Sequence, residues 1–141
     1  MIQRKQTIWL LLVILLMIVS AFLPFAHKSV LDVFNVAQLQ AITTKSITYL
    51  SIATAAIIVM ALLAIVMFKN RKLQKTFCLL GVLSTVACIT LEILHGNKPT
   101  EKTALTFGIA LPVLALLLFI KAYADIAADD KLVKSVDRLR D

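Results

Sequence analysis

Four cations crowd into seven residues at Lys69-Asn70-Arg71-Lys72-Leu73-Gln74-Lys75, with no acid among them, and long apolar runs enter this stretch from both sides. Ser46 to Phe68 carries no charge, and Thr76 to Leu94 carries only Glu92. Runs of this kind form helices that cross the roughly 30 Å of bilayer hydrocarbon. A loop this cationic cannot lie in hydrocarbon, and short Lys/Arg-rich loops are retained on the cytoplasmic side. The stretch therefore predicts two antiparallel spans joined by a cytoplasmic turn. A composition of 60% hydrophobic and 16% charged residues, with three glycines and three prolines, is well beyond that of a soluble domain. The 141 residues, mostly committed to spans, make one membrane domain.

Two further spans complete the expected fold, an all-α antiparallel bundle of four transmembrane helices over residues 7–26, 46–68, 76–94 and 103–123. The first follows Arg4 and Lys5. A cleaved signal peptide competes with it, since Val19-Ser20-Ala21 would serve as a small-residue cleavage site. We read it instead as a signal anchor with the N-terminus inside. Pro112 falls in the middle of the fourth span with Gly108 one turn before it, which predicts a kink. Within the second and third spans, Thr54, Ala61 and Ala64, and then Gly81, Ser84, Thr85 and Cys88, recur near helical spacing. Small residues on one stripe let backbones approach closely in lipid, so these stripes predict packing seams rather than a substrate path.

Charge counting orients the bundle. With both termini inside, eleven cations lie on the cytoplasmic side, including Arg4, Lys5, Lys69, Arg71, Lys72 and Lys75, against four on the other side. The outer loops are then 27–45 and 95–102, the cytoplasmic loop is 69–75, and the cytoplasmic tail is 124–141. In the longer outer loop, Val30, Val33, Phe34, Ala37 and Ala41 mark one helical face behind a Ser29/Asp32 cap, which predicts an amphipathic surface helix. A short β-hairpin is the alternative, because Val30 to Val36 is also rich in β-branched and aromatic residues. Gly96, Asn97 and Pro99 read as a turn.

Three pieces of the chain carry a resemblance: Met1-Ile2-Gln3-Arg4-Lys5-Gln6-Thr7, Phe68-Lys69-Asn70-Arg71-Lys72-Leu73-Gln74, and Asp130-Lys131-Leu132-Val133-Lys134-Ser135-Val136-Asp137-Arg138-Leu139-Arg140. Taken together, they resemble a family of small bacterial four-helix inner-membrane proteins known as a domain of unknown function. The resemblance spans nearly the whole chain. It implies the four-helix fold and a bacterial inner membrane, and it implies no activity, cofactor or catalytic residue.

Candidate chemistry is sparse. Glu92 is the carboxylate nearest a span interior, with His95 at i+3 on the same face, and an acid–histidine pair could relay a proton. The plainer reading has Glu92 reaching the outer interface or pairing with Lys98. His27 and His95, at the outer ends of the first and third spans, are paired as bis-histidine haem ligands would be, although two solvated interfacial histidines account for them as well. Cys78 and Cys88 sit ten residues, about 15 Å, apart on one helix, too far for a mutual disulfide. No phosphate loop, metal spacing or nucleophile elbow stands out, so neither an enzyme nor a cofactor is expected.

The net charge of +7 gathers at span ends without interleaved aromatics, which points to lipid headgroups rather than nucleic acid. In the tail, Leu132, Val133, Val136 and Leu139 form an apolar stripe beside Arg138, and residues 121–141 together hold five basic and five acidic residues. The stripe predicts docking on protein. The expected partners are membrane lipid and either a membrane protein complex or further copies of the chain. The expected role is an accessory, scaffold or assembly subunit, and the alternative is a small transporter or proton-conducting protein using Glu92 and His95.

Overall fold

The computed structural model describes residues 3–31, 37–96 and 103–138. Four helices form the body: α1 (Gln3–Phe22), α2 (Thr48–Val66), α3 (Arg71–Gly96) and α4 (Ala110–Arg138). All four are long and apolar enough to cross a membrane, and the chain is a multi-pass membrane protein. Helix α1 packs on α2 and α4, and α3 packs on the same two, so neighbours in the ring alternate in direction. Leu10, Val13 and Met17 of α1 meet Ile57, Ala61 and Ala64 of α2, Cys78 and Cys88 of α3, and Ala115, Phe119, Ala122 and Ile126 of α4 in one buried core.

The small-residue stripes lie inside this core. Thr54, Ala61, Ala64, Gly81, Thr85 and Cys88 are buried, and Ser84 is half-buried. A Cβ on Gly81 would stand 2.6 Å from the Phe119 ring, so the missing side chain is what seats that ring between α3 and α4. The hydroxyls of Thr54 and Thr85 donate to the carbonyls of Leu50 and Gly81, one turn back on the same helix.

The expected all-α fold needs correction, because a three-stranded antiparallel sheet of order β2-β1-β3 sits at one end of the bundle. Its strands are β1 (Pro24–Leu31), β2 (Ala37–Thr43) and β3 (Thr103–Leu105). The surface helix expected in the loop 27–45 is instead the hairpin of β1 and β2; Val33 and Phe34 lie outside the described residues. Backbone pairing decided it. Strand β1 bonds to β2 along one edge and to β3 along the other, which no helix lying on a bilayer could do.

The same pairing moves the span ends. Helix α1 stops at Phe22 rather than running to Ala26, because Pro24 disfavours helical geometry in the residue before it and opens β1. The fourth helix starts at Ala110 rather than 103, after β3 and a 3-10 turn at Phe107–Ile109. Pro112 is therefore in the first turn of α4, not its middle, where the missing N–H has no intrahelical partner to lose and the expected kink has no cause.

The expected loop 69–75 also contracts. A 3-10 turn covers Met67–Lys69, and Arg71 to Lys75 are already the first residues of α3. Asn70 caps them, its Oδ1 accepting from the Leu73 amide at 3.4 Å. The turn expected at Asn97 and Pro99 lies outside the described residues.

Candidate functional site

Polar side chains gather at the two ends of the bundle, and Glu92 anchors the cluster at the sheet end. It is 1% exposed, and its Oε1 accepts a hydrogen bond from Thr44 Oγ1 at 3.1 Å. Thr44, itself buried, opens the 3-10 turn that follows β2, so this bond ties the sheet to α3. Oε2 has no hydrogen-bond partner among the described residues. The sequence expectation that Glu92 reaches the interface is thereby corrected, because the turn after β2 covers it; the expected pairing with Lys98 lies outside the described residues. Cys88, one turn back on α3, is buried as well.

His95 lies at the rim of this cluster. Its Nδ1 is hydrogen-bonded to the Tyr49 hydroxyl of α2, and the Phe25 ring of β1 meets it edge-on at 6.3 Å. His27 is not at a helix end; it sits in β1 with Nδ1 2.8 Å from Thr106 Oγ1. The two histidines thus have separate partners in the seam between sheet and bundle. Around them Phe25, Ala26 and Leu50 form a small second core, with Ile42 and Ile47 against it. Gly108 belongs to the same seam, since a Cβ there would stand 2.3 Å from the Pro24 carbonyl oxygen.

The opposite end brings together Lys5, Lys69, Arg71, Lys72 and Lys75 with Asp125, Asp129 and Asp130. Gln6 Nε2 donates to Asp129 Oδ2, and Trp9 Nε1 donates to Asp125 Oδ2 at 3.1 Å, joining α1 to α4. Arg71 donates to the Asp129 carbonyl at 2.9 Å, and Lys75 forms an ion pair with Asp130, joining α3 to α4. Cations in the first turn of a helix oppose its dipole. Here α4 supplies the compensating oxygens. Gln6, Phe68, Arg71, Gln74, Ile126 and Asp129 line a shallow cleft at this end.

Of the residues expected to meet lipid headgroups, Lys5, Lys69 and Lys72 are exposed, whereas Arg71 and Lys75 are half-buried in the contacts with α4. The Arg4 side chain lies outside the described residues. In the tail, Leu132 is 57% and Val133 44% exposed; the side chains of Val136 and Arg138, and the whole of Leu139, lie outside the described residues.

Sequence reasoning missed Thr44, Tyr49, Gln6 and Trp9, which join the polar clusters only through contacts distant in the chain. Asp125 and Asp129 did carry a signal, since acids at i and i+4 share a helical face. Chemically, the sheet-end cluster offers one carboxyl with a free oxygen, able to hold a water or exchange a proton. Among the described residues no three His, Cys, Asp or Glu gather in a metal-binding group.

No curated protein matches the chain. From residue 2 to residue 139 it matches the family described as Domain of unknown function (DUF4293), and the chain belongs to that family.

Proposed function

We propose that the protein is a non-enzymatic accessory, scaffold or assembly subunit of a bacterial inner-membrane complex, with both termini and the Lys69–Lys75 stretch in the cytoplasm. The observation that carries this reading is the division of the bundle into two polar ends and an apolar middle. Glu92 with Thr44 lies at one end, Gln6 with Asp129 at the other, and Val13, Met17, Ile57, Ala61 and Phe119 fill the space between. Phe119 is seated against Gly81 in this layer. A packed apolar middle suits a structural subunit better than a conduit for ions or protons.

Purification in a mild detergent, followed by identification of every copurifying chain, tests the reading. A scaffold comes out with unlike chains in fixed proportion; a self-contained particle of this chain alone would overturn it. The second reading, a proton-conducting or transport protein, draws on the buried Glu92 oxygen without a described partner. It requires proton flux in reconstituted vesicles that Glu92→Gln abolishes.

A further inference from the structure

We propose that residues 131–133 of α4, with the exposed cations at the same end of the bundle, form a docking surface for an acidic amphipathic helix of a partner protein. The proposal rests on the scaffold reading and names the chemistry of the partner.

Residues 121–141 hold five acids and five bases, and the fold engages three of the acids. Asp125, Asp129 and Asp130 are engaged by Trp9, Gln6 and Lys75 within the bundle. Lys5, Lys69, Lys72 and Lys131 are all exposed at this same end. Among the described side chains, what the fold presents at this end is therefore basic, with Leu132 and Val133 as an exposed apolar pair next to Lys131.

Three occupants could cover that pair, and helix length and charge separate them. Lipid tails are a poor match for it. Helix α4 has 29 residues, about 43 Å at ~1.5 Å per residue, against about 30 Å of hydrocarbon. Asp129 and Asp130 are level with the first turns of α1 and α3, so Leu132 and Val133 lie past the charged layer that ends those spans. A second copy would bring the same cations face to face, and like charges disfavour that contact. A segment with acids on one face and apolar residues on the other complements both the charge and the apolar pair.

The test uses the full chain, purified and placed in nanodiscs of either phosphatidylcholine or phosphatidylglycerol. The probe is a fluorescent synthetic helix with Glu on its polar face and Leu on its apolar face, and anisotropy reads its binding. The proposal expects saturable binding in phosphatidylcholine discs, weakened at least tenfold by Leu132→Ser/Val133→Ser and by Lys69→Glu/Lys72→Glu. Unchanged melting of each variant separates lost binding from lost folding. Binding that ignores both variants overturns the proposal. So does slow hydrogen exchange over 131–135 in phosphatidylglycerol discs without the probe, or dissociation of a dimer by the serine variant, since lipid or a second copy then covers the pair. If unlike chains copurify from cells equally with the wild type and the serine variant, the scaffold reading stands and this surface is refuted.

Discussion

Thr44 Oγ1 donates to Glu92 Oε1 across 3.1 Å, closing a link between residues 48 positions apart and fastening the sheet to the third helix. Removing the donor leaves a buried carboxyl with no described partner on either oxygen. Such a loss costs on the order of 1–3 kcal/mol, so Thr44→Val should lower bundle stability by about that much. Glu92→Gln keeps an acceptor for Thr44 and should change stability by less than about 1 kcal/mol. Reversible unfolding in mixed micelles reads both, and equal losses in the two variants would contradict the role given to this bond.

Gly81 and Gly108 both exclude a side chain, but against different obstacles. A Cβ at Gly81 meets the end of the Phe119 ring at 2.6 Å, and one at Gly108 meets the Pro24 backbone oxygen at 2.3 Å. A ring can turn where a paired strand cannot. Gly81→Ala should cost about 1–3 kcal/mol, partly recovered when combined with Phe119→Leu, and Gly108→Ala should cost more. The order of the two unfolding midpoints checks this.

Lys75 and Asp130 are each about one-fifth exposed, at 24% and 20%, so their ion pair is screened and modest. Lys75→Ala should destabilise by about 1 kcal/mol or less. The exchange Lys75→Asp with Asp130→Lys should recover part of what either reversal loses alone, and the recovery should shrink at high salt. A double-mutant cycle at two ionic strengths measures it.

The membrane orientation is open to direct labelling. With Cys78 and Cys88 replaced by alanine, Gln40→Cys should react with an impermeant maleimide from outside intact spheroplasts, and Asn70→Cys should react only after lysis. Both positions are exposed, so accessibility in the fold does not limit the reaction. Labelling of position 70 from outside would reverse the assigned sidedness.

Hydropathy and local charge alone determined that the chain has four helices long and apolar enough to span a membrane and where the central pair turns, since a span needs only about 20 consecutive apolar residues and its backbone bonds are all local. The small-residue stripes were legible for the same reason: helical spacing alone puts Gly81, Thr85 and Cys88 on one face. What the tertiary structure decided depends on partners distant in sequence. Thr103–Leu105 reads as the start of an apolar span until Ala26 to Lys28 of β1 offers it a strand to pair with. Glu92 reads as an interfacial acid until Thr44 closes over it. Residues 121–141 read as neutral until Trp9, Gln6 and Lys75 take up three of the acids and leave Lys131 exposed. Each of these outcomes is set by pairing energy between segments, and a hydrogen bond between residues 123 positions apart leaves no periodic trace in the residues around either end.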